Sequence, residues 1–265
     1  MLLIPKEHPM TSLDTTAPAR HRRPTPTMHI AMLGTRGVPA AYGGFETAVE
    51  EIGQRLVEMG HAITVYGRAT ERDAPKEHLG MKLVNLPAVR SKSLETLSHT
   101  AVSTAHFTAG PRHDVAFVFN AANAPFVPML RARAGAVAVH VDGLEWKRDK
   151  WGKWGRRYYR MAEQIAVREA DALIADAQGI ADYYDDEFGI PTELISYGTR
   201  ILRNTPTDAI EGLGLVPGQY HLVVARFEPE NHVDVIVEGY RRSNATLPLV
   251  VVGSAPYSKN YTDGI

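Results

Sequence analysis

The segment HVDGLEWKR, residues 140–148, sets an imidazole and a carboxylate two positions apart behind an apolar run. Side chains at that spacing on a strand share one face, so His140 and Asp142 are expected to meet one ligand near the strand's carboxyl end. Either can accept a hydrogen bond from a hydroxyl, and His140 titrates nearest neutrality. A core histidine with a satisfied ring is the plainer alternative. Glu145 and Arg148 follow in the same stretch, spaced to orient one another, to hold a ligand, or to form a surface ion pair.

A second stretch, GTRGVPAAYGGFET (34–47), suits anions. Gly34, Gly37, Gly43 and Gly44 let a backbone turn tightly and approach a ligand closely, and a helix that starts there presents free N–H groups to phosphate. The alternative is a tight connection with no ligand. Glu46 complicates the picture, because a carboxylate beside a bound phosphate repels it; it is expected to face a ligand's hydroxyls (a sugar's, if the ligand is a nucleotide sugar) or the helix dipole alone. A third stretch, ARFEPENH (225–232), offers Arg226, a planar and permanently charged fork suited to phosphate. There is no D-x-D triplet, so donor binding through a metal ion has no visible ligands.

These residues need elements to hold them. Apolar runs at 29–33 and 62–66 read as strands, and between them Phe45, Ala48, Val49, Ile52, Leu56 and Met59 recur at helical spacing until Gly60 stops the helix. Runs at 82–86, 114–119, 136–141 and 170–175 read as further strands, with helices near 93–107, 125–132 and 156–169. Strands alternating with helices imply an α/β fold with a doubly wound parallel sheet. Ligands of such sheets bind beyond the carboxyl ends of the strands, where residues 34–44 and 140–148 both fall.

Several function classes drop out. The glycine stretch is not G-x-G-x-x-G, and the second strand ends Tyr66-Gly67-Arg68 without the carboxylate that grips a dinucleotide's ribose, which disfavours an NAD-dependent oxidoreductase. The net charge of −1 gives no basic footprint for nucleic acid. Cysteine is absent, which removes disulfides, thiolate metal sites and cysteine nucleophiles and fits a cytoplasmic protein. No apolar run approaches the roughly 20 residues that span a bilayer. Residues 1–27 are rich in Pro, Thr and Arg, and their apolar start is cut by Pro5 and Lys6; a disordered extension is expected, with Met28 a second candidate start of translation.

GTRGVPAAYGGFET and VDGLEWKRDKWGKWGRRYYR, followed in order by LIADAQGIADYYDDEFG, ISYG and VVARFEPENH, resemble family-4 glycosyltransferases, and more narrowly their bacterial rhamnosyltransferase-like branch. The similarity spans residues 28–265. It implies the GT-B architecture, two facing Rossmann-like domains with the active site in the cleft. It also implies transfer of a sugar from a nucleotide diphosphate donor to a saccharide or lipid-linked acceptor in surface polysaccharide synthesis, with retained configuration, no cofactor and no catalytic metal. Gly43, Gly44 and Glu46 fall at the first signature, and Glu145 and Arg148 at the second. Many relatives carry histidine where Asp142 stands, so the sugar-contacting role is open between Asp142 and His140. Relatives also carry an arginine and, five residues on, a lysine that reach the diphosphate; Arg226 matches the first, and Asn231 replaces the second.

Residues 146–160 hold seven Lys and Arg against one acid, among Trp and Tyr. That composition suits a membrane interface and equally a helix that packs its aromatic rings inward. The chain is expected to comprise an extension (1–27), an acceptor-side Rossmann-like domain (28–205) and the first elements of a donor-side domain (206–265), truncated before the glutamate pair that grips the donor in relatives. A non-catalytic remnant or partner-binding domain is the alternative.

Overall fold

The computed structural model describes residues 26–40, 43–69, 74–89, 95–141, 143–148, 151–199, 201–203, 205–253, 261 and 264. The expected disorder of the extension and the position of Asp142 lie outside these, apart from the extension's last two residues. The chain divides into two units, Met1–Gly198 and Thr199–Ile265.

In the first unit β1 (His29–Leu33) leads through the glycine stretch to α1 (Gly44–Glu58), then β2 (Ala62–Arg68), β3 (Glu77–His78), β4 (Met81–Leu86) and α2 (Glu95–Ala109). There follow β5 (His113–Phe119), a 3-10 turn (Ala121–Phe126) running into α3 (Val127–Arg131), and β6 (Ala134–Val141). A short 3-10 turn (Glu145–Lys147), α4 (Lys153–Glu169), β7 (Ala172–Ala175), α5 (Gln178–Phe188) and β8 (Glu193–Leu194) complete it. The strands form one sheet in the order β3-β4-β2-β1-β5-β6-β7-β8, parallel except where β3 runs against β4. The doubly wound α/β sheet is therefore present. Its strand order reverses between β1 and β5, the position where such sheets open a ligand crevice.

Each strand contributes alternate residues to the two faces. Leu33, Val118, Val139 and Leu173 pack with Phe107 of α2, Leu130 of α3, Ala166 of α4 and Tyr184 of α5. Met32, Ile63, Val65 and Leu83 pack with Val49 of α1 on the other face. Full burial of such side chains stabilises by about 1.5–3 kcal/mol each, so this two-sided core holds the sheet's carboxyl edge in place.

The helix expected near 125–132 is instead a 3-10 turn plus the five-residue α3, because Pro125 and Pro128 each remove a backbone donor. Ile52 and Met59, expected on the buried stripe of α1, are exposed; the stripe runs through Ala48, Val49 and Gly53. At Gly53 a β-carbon would lie 2.3 Å from the Met81 sulfur, so the glycine admits a side chain from the sheet. α5 is a further helix, stopped by Gly189 in the left-handed conformation (φ 66°).

The second unit holds α6 (Asp208–Glu211), β9 (His221–Val224), a 3-10 turn (Pro229–Asn231), α7 (Val233–Arg241) and β10 (Leu249–Val252). β9 and β10 pair in parallel, joined through α7. Gly253 is obligatory, because a β-carbon there would lie 1.9 Å from the Ala225 carbonyl oxygen. Two strands and a helix bury little: Leu222, Val224, Val235 and Val252 all remain exposed.

Candidate functional site

The carboxyl edge of the first unit's sheet is built around the reversal between β1 and β5. Gly34 has φ +96°, and a β-carbon on it would come within 2.3 Å of the Phe119 carbonyl oxygen. Asn123, fully buried, donates through Nδ2 to that same oxygen at 2.8 Å and to the Gly34 oxygen at 3.5 Å. The ends of β1 and β5 are thus stitched by one amide. Gly37, at φ +102°, passes so close to β2 that a β-carbon would lie 2.6 Å from the α-carbon of Gly67.

The loop is then clipped to α1 by two carboxylates one helical turn apart. Glu46 Oε1 accepts from the Arg36 backbone N–H at 3.0 Å. Glu50 Oε2 accepts from the Ala40 N–H at 2.8 Å and lies 3.0 Å from His78 Nε2. Glu46 is buried, and its other oxygen sits so near Gly43 that a β-carbon there would lie 2.7 Å away. The Glu46 carboxylate thus braces the glycine loop, and its place in the first turn of α1 also suits the helix dipole. Gly43 caps α1 without any side-chain hydrogen bond. At Gly44 a β-carbon would meet nothing within 4 Å.

His140, at the end of β6, lies on the same face of the sheet as α1. Its ring stacks on Phe119 (5.7 Å, 24°) and on Tyr197 (5.7 Å, 14°), with Phe45 of α1 edge-on at 5.4 Å. Nε2 lies 3.4 Å from the Tyr197 hydroxyl, while Nδ1 is buried with no hydrogen-bond partner among the described residues. Burial pulls the imidazole's pKa below its usual value, against the opposing pull of Asp176. A neutral ring at physiological pH follows. Burial of an unpaired polar atom costs about 1–3 kcal/mol, the kind of debt a bound hydroxyl or water cancels.

Glu145 and Arg148 pair with each other in the turn after β6, and Glu145 Oε2 accepts from the Trp151 indole at 3.1 Å. The basic and aromatic stretch splits in two. Trp146 lies under Arg160 (4.8 Å), Trp151 packs on Tyr159 (5.1 Å), and the Tyr158 hydroxyl donates to the Ala122 oxygen at 2.7 Å, its pKa pushed up to about 12 by burial. Trp154 faces outward, 83% exposed.

In the second unit Arg226 is exposed at the end of β9. Asn231 donates to the Arg226 carbonyl oxygen at 2.7 Å, closing the loop on itself. Among the described residues no group of three or more His, Asp or Glu side chains could hold a metal ion. Phe45, Phe119, Asn123 and Tyr197 join the site although sequence reasoning passed over them; the ISYG motif was the one available pointer to Tyr197.

The fold recurs in solved structures. Sucrose-phosphate synthase from Thermosynechococcus elongatus superposes with a TM-score of 0.71 at 20% identity, over 86% of this chain and 63% of that one. Anabaena HepE, solved with UDP and glucose, gives 0.65 at 17% identity, over 89% of this chain and 64% of that one. UDP-N-acetylglucosamine 2-epimerase from Rickettsia bellii gives 0.55 at 14% identity, over 90% and 65%. The chain thus spans less than two thirds of each of these proteins, and at such identities the likeness is one of fold, the GT-B type of two Rossmann-like domains. No curated protein matches the sequence. Residues 27–200, nearly all of the first unit's sheet and helices, match the family model described as a domain of unknown function, and to that family, DUF1972, the chain belongs.

Proposed function

We propose that the chain is the acceptor-side domain, with the beginning of the donor-side domain, of a glycosyltransferase. It would transfer a sugar, rhamnose in the narrower resemblance, from a nucleotide diphosphate donor to a saccharide or lipid-linked acceptor during surface polysaccharide synthesis. Retention of configuration, independence from metal and cofactor, and a cytoplasmic place at the inner face of the membrane with contact through residues 146–160 belong to the same reading. HepE, one of the structures that share the fold, was solved with UDP and glucose, which supports a nucleotide sugar as the ligand class.

The observation that carries the reading is a pairing at one sheet edge. An uncapped helix start at Gly43 and Gly44 shares the edge with a neutral, half-satisfied His140. In sugar transfer, negative charge grows on the leaving diphosphate while the sugar becomes cation-like. N–H groups aimed at that charge, backed by roughly half a positive charge from the helix dipole, stabilise it without reorganisation. Glu46 keeps the loop in place. His140 or Asp142 accepts from a hydroxyl of the transferred sugar, and Arg226, in the second unit, carries a guanidinium suited to phosphate.

Asn231 favours a second reading. Its amide is committed to the Arg226 carbonyl, in the place where relatives carry a lysine, as expected of a non-catalytic domain that keeps the fold and binds a partner. Thermal unfolding with a panel of UDP-, dTDP- and GDP-sugars decides between them. Protection by one of the panel supports the transferase, protection by NADH alone supports an oxidoreductase, and protection by none supports the non-catalytic domain.

A further inference from the structure

The outward face of α4 carries a combination that folding does not explain. At about 100° per residue, Lys153, Trp154, Arg157, Met161, Gln164 and Arg168 fall on one arc of this helix, and the buried Tyr159, Ala162, Glu163 and Ala166 fall on the opposite one. All six on the outer arc are exposed. Trp154 is 83% exposed and Met161 43%, so two large apolar side chains stand in water without packing on the core. No carboxylate shares the arc. Lys153 and Arg157 form no ion pair among the described residues, and Arg168 pairs with Glu169 at the helix's far end. Trp154, Arg157 and Met161 also line an open groove of about 570 Å³, completed by Tyr158, Arg160 and Gln164.

We infer that this face of α4 docks on a bilayer containing anionic phospholipid, with Trp154 and Met161 in the headgroup layer and Lys153 and Arg157 against lipid phosphates. An indole at an interface rests at headgroup depth, with its ring in the apolar zone and its N–H in the wet one. Each Lys or Arg near an anionic surface adds about 1 kcal/mol. The face is too polar to insert, and among the described residues no helix is long and apolar enough to cross a membrane; it lies flat.

The assignment narrows the surface. Within 146–160, Trp146, Arg148, Trp151 and Arg160 are spent on internal contacts; among the described residues the outer arc of α4 is left to meet lipid, with the exposed Lys147 and Arg156 beside it. Helix α4 starts from the sheet's carboxyl edge, so Lys153, Trp154 and Arg157 lie at the end of the unit that carries His140. Docking there brings that edge to the membrane surface, where a lipid-borne saccharide would be the acceptor. The identity of the acceptor rests on the proposed transfer reaction; the docking does not.

Sedimentation of the chain with vesicles of phosphatidylcholine, with and without phosphatidylglycerol, tests the inference in the absence of any nucleotide sugar. Binding is expected to the anionic vesicles, to weaken with salt as screening closes in to a Debye length of about 10 Å at 0.1 M, and to blue-shift Trp emission. Two charge reversals at the surface remove the attraction of two cations and add repulsion, so K153E/R157E is expected to lose at least about tenfold in partitioning, and W154A to lose the emission shift. Nucleoside diphosphate affinity is expected to stay unchanged in both variants, which separates failure of the docking from failure of the transferase reading. Equal binding to neutral vesicles, binding to neither kind, variants that bind like the parent, or retention on single-stranded nucleic acid instead of vesicles would each overturn it.

Discussion

Replacing Gly44 by valine separates the fold of the glycine loop from its chemistry. Gly44 is the first residue of α1, and the space its β-carbon would enter is empty to 4 Å. The fold therefore loses nothing by the change. In a helix valine is favoured over glycine by a few tenths of a kcal/mol, so the unfolding midpoint is expected to hold or to rise slightly. A ligand phosphate seated on the first-turn N–H groups would meet the new isopropyl group. Loss of one charge-assisted hydrogen bond costs about 1.5–3 kcal/mol, which at 1.4 kcal/mol per decade is roughly a tenfold to hundredfold loss of affinity. Titration calorimetry with UDP, dTDP and GDP on parent and variant reads this directly, with circular dichroism to verify the fold. Gly34→Ala is the contrast: with φ +96° and a carbonyl oxygen 2.3 Å from the new carbon, it is expected to unfold the edge rather than to block it. A folded Gly44→Val variant that binds nucleoside diphosphate as tightly as its parent would show the loop to be a connector only.

Glu46→Ala removes the carboxylate that accepts from the Arg36 N–H; loss of that charge-assisted hydrogen bond, about 1.5–3 kcal/mol of stability, and weaker nucleotide binding are expected together by denaturant titration and calorimetry, whereas Glu46→Ala with unaltered stability would detach the carboxylate from the loop. His99, His113 and His140 are all held below their ordinary pKa of 6.5, chiefly by burial, so the unfolded chain binds more protons below that value and stability is expected to be complete above about pH 6.5 and to drain as pH falls through the lowered values. Glu163, raised from 4.5 by burial, acts with the opposite sign, its contribution complete below 4.5 and lost as pH rises through its raised value. His99→Gln, which keeps a donor for the Gly67 oxygen 2.8 Å away, is expected to flatten the acid limb of a thermal-melt series, and an unchanged limb would exclude His99 from it. Limited proteolysis is expected to cut the second unit, whose β9, α7 and β10 leave Leu222, Val224, Val235 and Val252 exposed, well before Val49 or Leu33 of the first unit's core; simultaneous loss of both units would contradict this.

The sheet was legible because its strands are long apolar runs separated by helical periodicity, and each such run from β1 to β7 appears in the structure. The two-residue β3 and β8 carry no period to read. α5 escaped because QGIADYYDDEF sets its apolar residues among carboxylates, although Gly189 after it is an ordinary helix stop. The site was legible as segments but not as contacts. Tyr197 reaches His140 across 57 residues, and Asn123 reaches Gly34 across 89; pairings at that range are set by the strand order, which local pattern does not encode. Glu46 belongs to the same class. Its place beside the glycine loop is visible in the sequence, but its hydrogen bond from a backbone N–H ten residues earlier depends on how the loop folds over α1.

One departure from the pattern that the resemblance implies has an electrostatic consequence. Asn231 stands where that pattern has a lysine, so this loop of the second unit carries one positive charge fewer than the resemblance implies. The Asn231 amide does not restore the loss, because it is used to close the loop at Arg226. In the proposed reading, a diphosphate at the first unit would then rest on the start of α1, which has no side-chain cap. The N–H groups there act over the first turn only, through directed hydrogen bonds rather than a diffuse field. Donor affinity resting on them should depend weakly on salt, since contact hydrogen bonds in a sheltered crevice are screened far less than exposed ion pairs. A nucleotide affinity that fell steeply with ionic strength would instead assign the diphosphate to free cations, and the glycine loop would lose its place in the chemistry.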